Sequence, residues 1–436
     1  MALTELDIPR RMAPRGQKLF VIYSSDETAQ PGFKYGVSLT ETWGANKNYT
    51  FYVSPAPDGN LYFDVASVLT MKNDENSEDG FNHSRPTQNE YEEPNGKGMK
   101  RFTLVVSEWW LVGNVLTENE GTAVTTNDLD FVNAYYQFSD GYRPDNQSGG
   151  LYKGFALTSN VSRMWSDRTT DTHNWQFADT FSITGAIYIP CRNSDYGLLT
   201  WVNQNNSFNS NLATHIKITL FNSAGVPSSV VVPGFTTTED SFIHQPIYPA
   251  NINASNLSNS VKPSANANWR FYTVVATDSG GSNVYSETYC FYNADLYGQS
   301  DCKFDNVRLG WKNARAGWDY FNFIKKSEKS YQMESKQYRK VLFNGTDKIF
   351  AVGDRGLVDR TKLVEQVTTI TSDWLQEGEF EFLKSLFVSD QVHQVNDDGT
   401  FYSVVITEQS YQQRTTRDGK LYNLTLSFRN SIDYWT

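Results

Sequence analysis

Residues 302–323 read CKFDNVRLGWKNARAGWDYFNF, and the period of this stretch decides what kind of fold the chain adopts. Val307, Leu309 and Trp311 alternate with polar or small residues, Asn313 to Gly317 supplies a turn, and Trp318 to Phe323 is aromatic again on alternate positions. A period of two on both sides of a turn predicts a β-hairpin. In its second strand Trp318 and Tyr320 fall on one side and Phe321 and Phe323 on the other. Neither side suits water, so the strand is expected to lie between two layers as a central seam of the fold.

The composition extends that reading to the whole chain. At 436 residues it is long enough for roughly two to four domains with ordinary cores. Aromatic residues make up 14% of it, a richness in Phe, Tyr and Trp that favours pleated, half-buried strands over long helices. A formal charge of −11 offers no general attraction for nucleic-acid phosphate, so nucleic acid is not an expected partner. Cys191, Cys290 and Cys302 form no CxxC pair and leave one thiol over, which argues against a disulfide-stapled secreted scaffold and for synthesis in a reducing cytoplasm. The start, MALTELDIPRRMAPRG, lacks the apolar core of an export signal, and no run approaches the ~18 apolar residues of a membrane helix. No membrane insertion is expected.

Taken in order, residues 1–16 form an arm broken by Pro9 and Pro14. Residues 17–116 predict a β-sandwich: Phe33, Tyr35, Val37 and Leu39 make one alternating face, Tyr49, Phe51 and Val53 another, and Pro55 to Gly59 a turn. Within it, 72–100 is polar and acidic and reads as a long exposed loop. Residues 117–300 set short strands in a matrix of Asn, Ser, Thr and Gly, at Phe131 to Phe138, Gly154 to Leu157, Phe181 to Ile189, Gly197 to Val202, His215 to Phe221, Ser229 to Val232, Arg270 to Thr277 and Asn283 to Tyr292. That spacing predicts an inserted jelly-roll-like β module, with 253–268 as a surface linker. Residues 301–345 hold the hairpin and a connector in which Tyr331 to Phe343 is a further strand. Residues 346–436 predict a small α+β module. Its strands are Lys362 to Thr371, Gln391 to Val395, Phe401 to Ile406 and Leu421 to Phe428, with turns at 396–400 and 417–420. Its one helix is capped by Asp373 with Gln376 and buries Phe380, Leu383 and Phe387. The expected class is mainly β.

No catalytic constellation emerges. His83, His173, His215, His244 and His393 are not at metal-ligand spacing, and neither HExxH nor a Cys/His zinc pattern occurs. GxSxG, the phosphate-binding GxxxxGK[ST] and a strand-borne GxGxxG are missing, and GDRG at 353–356 reads as a turn. The acid cluster Asp74 to Asp79 lacks the glycine and distal glutamate of an EF-hand loop. Asp319, between Trp318 and Tyr320, is the most provocative carboxylate: a sugar ligand or raised-pKa acid on one reading, a partner of Arg308 or Arg315 or a brace for the turn on the other. The chain is therefore expected not to be an enzyme and to hold neither cofactor nor metal. Candidates for interface residues are Trp109, Trp110, Trp311, Trp318, Asp319 and Tyr320; Trp109 and Trp110, adjacent on a strand, point to opposite faces. Trp43, Trp165, Trp175 and Trp201 are further aromatic candidates for stacking, with core packing the simpler role.

Three pieces together resemble tail-region structural proteins of tailed bacteriophages, in particular those of phages of Bacteroidota and similar marine hosts. They are FKYGVSL (33–39) followed by SPAPDGNLYFDVASVLT (54–70), VRLGWKNARAGWDYFNF (307–323) after a cysteine, and TSDWLQEGEFEFLKSLFVSDQVHQV (371–395) followed by a strand pair. They lie toward both ends of the chain, and 117–300 matches nothing in that group. The resemblance implies a distal-tail, baseplate or adaptor subunit of the virion, a β-rich protein that forms a homo-oligomeric ring and contacts other tail proteins. It leaves the middle module to face outward or toward a partner, and allows a host-surface glycan as a further partner through that module. The alternative is a carbohydrate-binding or depolymerising adhesin of the same particle, marked by a groove of Trp or Tyr with two convergent carboxylates.

Overall fold

The computed structural model describes residues 3–8, 13–14, 16, 18–42, 47–68, 82–88, 91–92, 99–132, 134, 163–164, 185–203, 213–233, 241–296, 304–340, 356–375, 377–416 and 419–432. The expected strand Gly154 to Leu157, the acid cluster Asp74 to Asp79, Cys302, Trp43, Trp165 and Trp175 lie outside them. The protein is mainly β, in several sheets dominated by antiparallel pairing. Its two compact units are Met1–Leu296 with Lys312–Asp319, and Tyr297–Trp311 with Tyr320–Thr436. The strands of the hairpin, Val307–Lys312 and Trp318–Phe323, thus fall mostly in the second unit and its tip in the first. No helix among the described residues is long and apolar enough to cross a membrane.

The first unit begins with the sandwich that the alternation predicts. One sheet pairs Thr4–Asp7, Phe20–Ser24 and Leu61–Asp64. The other runs Ala13–Pro14, Val124–Val132, Met99–Val112, Lys34–Glu41, Asn48–Val53, with Val115–Glu118 folded back on Met99–Val112. Val21, Tyr23 and Leu61 share a core with Tyr35, Val37, Leu39, Phe102, Leu104 and Val106, as a period of two on facing strands requires. The sandwich continues past residue 116, because Val124–Val132 completes the sheet and inserts Leu129 and Phe131 into the core.

Further along the first unit lie two more sheets. Five strands run Ile187–Cys191, Tyr289–Asn293, Phe271–Thr277, His215–Phe221, Pro227–Pro233, the first pair parallel. Four run Arg163–Met164, Leu198–Asn203, Ser241–Pro246, Tyr91–Glu92. Two stretches that read as surface loops are held tightly. Asn251, fully buried, donates from Nδ2 to the carbonyls of His83 and Arg85, each at 2.7 Å, and accepts from the Gly197 amide at 2.9 Å. Gln245 Nε2 donates to the Thr87 carbonyl at 2.6 Å, so part of the expected exposed loop 72–100 is strapped down. The expected linker 253–268 instead follows a helix, Pro249–Ala254, with short helical turns that bury Leu257, Val261 and Pro263. The reason is that its few apolar residues fall where the turns face inward.

In the second unit a seven-stranded sheet has the order Trp318–Phe323, Val307–Lys312, Val392–Val395, Phe401–Thr416, Gly419–Asn430, Leu357–Thr371, Ser327–Arg339. The hairpin is therefore at one edge of its sheet rather than in the middle, although its first strand is buried throughout. Helix Glu377–Val388 buries Phe380, Phe382, Leu383 and Leu386, and Leu383 and Leu386 share a core with Leu309, Trp311, Leu424, Leu426 and Phe428. Phe387 is only half-buried, and Asp373 is not the cap: it accepts from the adjacent Trp374 amide. The two backbone hydrogen bonds between Leu375 and Tyr422 hold the chain extended there, so the helix starts later. In the turn at 396–400 Gly399 takes φ +85°, and the Thr400 hydroxyl and amide hold the Asp398 carboxyl below the usual aspartate value.

Gly310 meets the Tyr320 ring so closely that an added Cβ would lie 2.7 Å from Cε1. Gly310→Ala is expected to cost about 1–3 kcal/mol by overpacking, and Leu383→Ala about 2–5 kcal/mol by leaving a cavity. Urea denaturation followed by far-UV circular dichroism checks both, and wild-type stability in either variant contradicts this packing.

Candidate functional site

Four of the six interface candidates lie in the interior, with Trp311, Trp318, Asp319 and Tyr320 at most 3% exposed. Trp311 donates from Nε1 to Ser385 Oγ at 2.9 Å and packs on Phe382. The Tyr320 ring lies under the Arg308 guanidinium, 4.8 Å from its centroid, and Arg308 also donates to Asn322 Oδ1 at 3.1 Å. Trp318 meets His83 edge to face, and its amide donates to Thr200 Oγ1 at 3.0 Å. The same hydroxyl shares a hydrogen bond with Nδ1 of His244 at 2.9 Å, whose donor is set by the tautomer of the ring.

Asp319 braces the turn. It accepts from Asn313 Nδ2 at 2.8 Å, while Asn313 Oδ1 accepts from the amides of Arg315 and Gly317, each at 2.9 Å. One buried asparagine therefore closes the whole loop, and Ala316 takes φ +65° inside it. This is the turn-bracing alternative open in the sequence.

Trp109 and Trp110 are half-buried and point to opposite faces. Trp110 packs against the sandwich core. Trp109 covers Gly36, where an added Cβ would lie 2.4 Å from Nε1, donates to Ser107 Oγ, and meets the exposed Tyr52 edge to face at 5.0 Å. Beyond them the strand turns at Gly113 and Asn114, both left-handed, a two-residue hairpin turn that exposes Leu111, Val112 and Val115. The signal for that apolar tip, VGNV at 112–115, is present in the sequence and escapes a search confined to aromatic residues.

Buried charge in this unit serves structure. Glu108 is fully buried and accepts from Ser25 Oγ at 2.5 Å and Asn119 Nδ2 at 3.0 Å. Arg101 grips Asp130 with two hydrogen bonds, at 2.7 and 3.0 Å. Burial pushes the Cys290 thiol well above its ordinary value, which suppresses its thiolate. Among the described residues no group of three or more His, Cys, Asp or Glu side chains is placed to hold a metal ion.

The second unit offers surface of another kind. Among the described residues, strand Ser327–Arg339 ends the seven-stranded sheet and pairs with Leu357–Thr371 alone, and it is exposed from Glu328 onward, with Tyr331 at 66% and Met333 at 64%. Its length was hidden by composition, since a polar strand shows no apolar alternation. The first unit thus exposes an apolar hairpin tip and the Tyr52–Trp109 pair, and the second a long polar sheet edge. No protein-family model matches the chain, and no curated protein is found similar to it.

Two measurements probe this interior. Asn313→Ala removes three hydrogen bonds, one of them to Asp319, at an expected cost of about 2 kcal/mol or more; thermal unfolding reads it, and an unchanged midpoint contradicts the brace. Burial holds the Tyr23 and Tyr35 phenols neutral up to about 12, against 10.0 for a free phenol. A raised acid value in the folded state contributes stability that is complete below pH 10.0 and is lost as pH rises through about 12. Absorbance at alkaline pH is expected to show two fewer late-titrating phenols in the chain carrying Tyr23→Phe with Tyr35→Phe than in wild type, and an unchanged late phase contradicts their burial.

Proposed function

We propose that the protein is a virion structural subunit of a tailed bacteriophage, assembling with copies of itself into a ring or adaptor of the tail and contacting neighbouring tail proteins. The observation that carries the reading is the pair of extended β arms, one in each unit. The Leu111 to Val115 tip exposes apolar side chains, and the Ser327–Arg339 ribbon exposes both its faces and its edge. A two-stranded ribbon gains little stability alone in water and is the kind of element that an assembly orders and covers. The likeness of FKYGVSL, VRLGWKNARAGWDYFNF and the helix-bearing TSDWLQEGEFEFLKSLFVSDQVHQV to tail proteins supports the same reading.

Light scattering with negative-stain imaging of the purified protein tests it. Rings of a fixed copy number are expected. A strict monomer at all concentrations, together with binding in a glycan screen, would replace this reading with the adhesin.

A further inference from the structure

We propose that strand Ser327–Arg339 of one copy pairs antiparallel with the same strand of a second copy, about a two-fold axis at Gln332, making one continuous sheet across the contact. This rests on the reading that the chain self-assembles, and it names the contact. As the last strand of its sheet among the described residues, Ser327–Arg339 directs alternate amides and carbonyls away from Leu357–Thr371, a row of donors and acceptors that no described strand meets and that suits another strand.

The choice of a second copy comes from the order of charges. Glu328, Ser330, Gln332, Glu334 and Lys336 lie on one face, and Lys329, Tyr331, Met333 and Ser335 on the other. With the axis at Gln332, Glu328 of each copy opposes Lys336 of the other, and Tyr331 opposes Met333, so two ion pairs form on one face and an apolar cluster on the other. Neighbouring registers fail on charge: an axis at Tyr331 sets Glu328 against Glu334, an axis at Glu334 sets that residue against itself, and an axis at Met333 opposes no charge pair. The ion pair of Glu328 with Lys326 of its own chain is weak competition, because both side chains stand in water. The bulge after Lys336 ends the regular ladder, so the contact spans Glu328 to Lys336. By symmetry, a ring whose members also pair in this way is a stack of two rings, and its copy number is even.

Gln332→Cys, in a full chain carrying Cys302→Ser, is the test. Opposed side chains place the two introduced thiols within disulfide reach, so mild oxidation is expected to give a covalent dimer, and Ser330→Cys, whose counterpart is Glu334, is expected to give none. Independently, Glu328→Lys or Lys336→Glu alone should weaken self-association about tenfold or more by light scattering, and the double variant should restore it. All four positions are exposed, so folding is preserved, and circular dichroism verifies it. No disulfide in the Gln332→Cys chain, with single reversals that associate like wild type, overturns the proposal. Rings without that link reject the two-fold contact and leave the ring reading standing; linked dimers without rings do the reverse.

Discussion

The rest of the structure depends on the need of every buried amide and carbonyl for a partner in a chain that forms little helix. Those groups meet across strands, and the strands that meet are often remote in sequence. Lys34–Glu41 finds one neighbour in Asn48–Val53 and the other in Met99–Val112; Ile187–Cys191 runs parallel to Tyr289–Asn293, about a hundred positions on. Once those ladders form, the period of two fixes which side chains turn inward. Val37 and Leu39 then share a core with Leu104 and Val106 without any one of them specifying the others.

Between the ladders the chain is held by polar side chains used as fasteners. Asn251 ties 83–85 to Gly197, Gln245 ties Thr87, and Asn313 closes the hairpin turn on Asp319. Each is buried, and each replaces backbone partners that a loop cannot supply for itself, which is why removing one costs more than its single bond. Glycines work the other way, letting rings come close: Trp109 over Gly36, Tyr248 against Gly197 and Tyr320 on Gly310.

Those devices leave some of the surface uncovered. The interior absorbs Trp311, Trp318, Asp319 and Tyr320, while the Val112 tip and the Ser327–Arg339 edge stay in water. Along such β ribbons the side chains alternate at fixed spacing on a regular ladder.

By itself the sequence determined the mainly-β class, the hairpin at 307–323, the inward face of Tyr35, Val37 and Leu39, and the helix face of Phe380 and Leu383, because periodicity is a local property that a strand or helix inherits from its own residues. His215 to Phe221 is read to the residue for the same reason. Only the tertiary structure decided that 82–88 and 253–268 are strapped and partly buried, that the hairpin takes a sheet edge, that the helix begins after Leu375 pairs with Tyr422, and that Ser327–Arg339 is a long strand of polar residues. Those outcomes depend on partners distant in the chain, and a polar segment carries no apolar period to announce the ladder it will join.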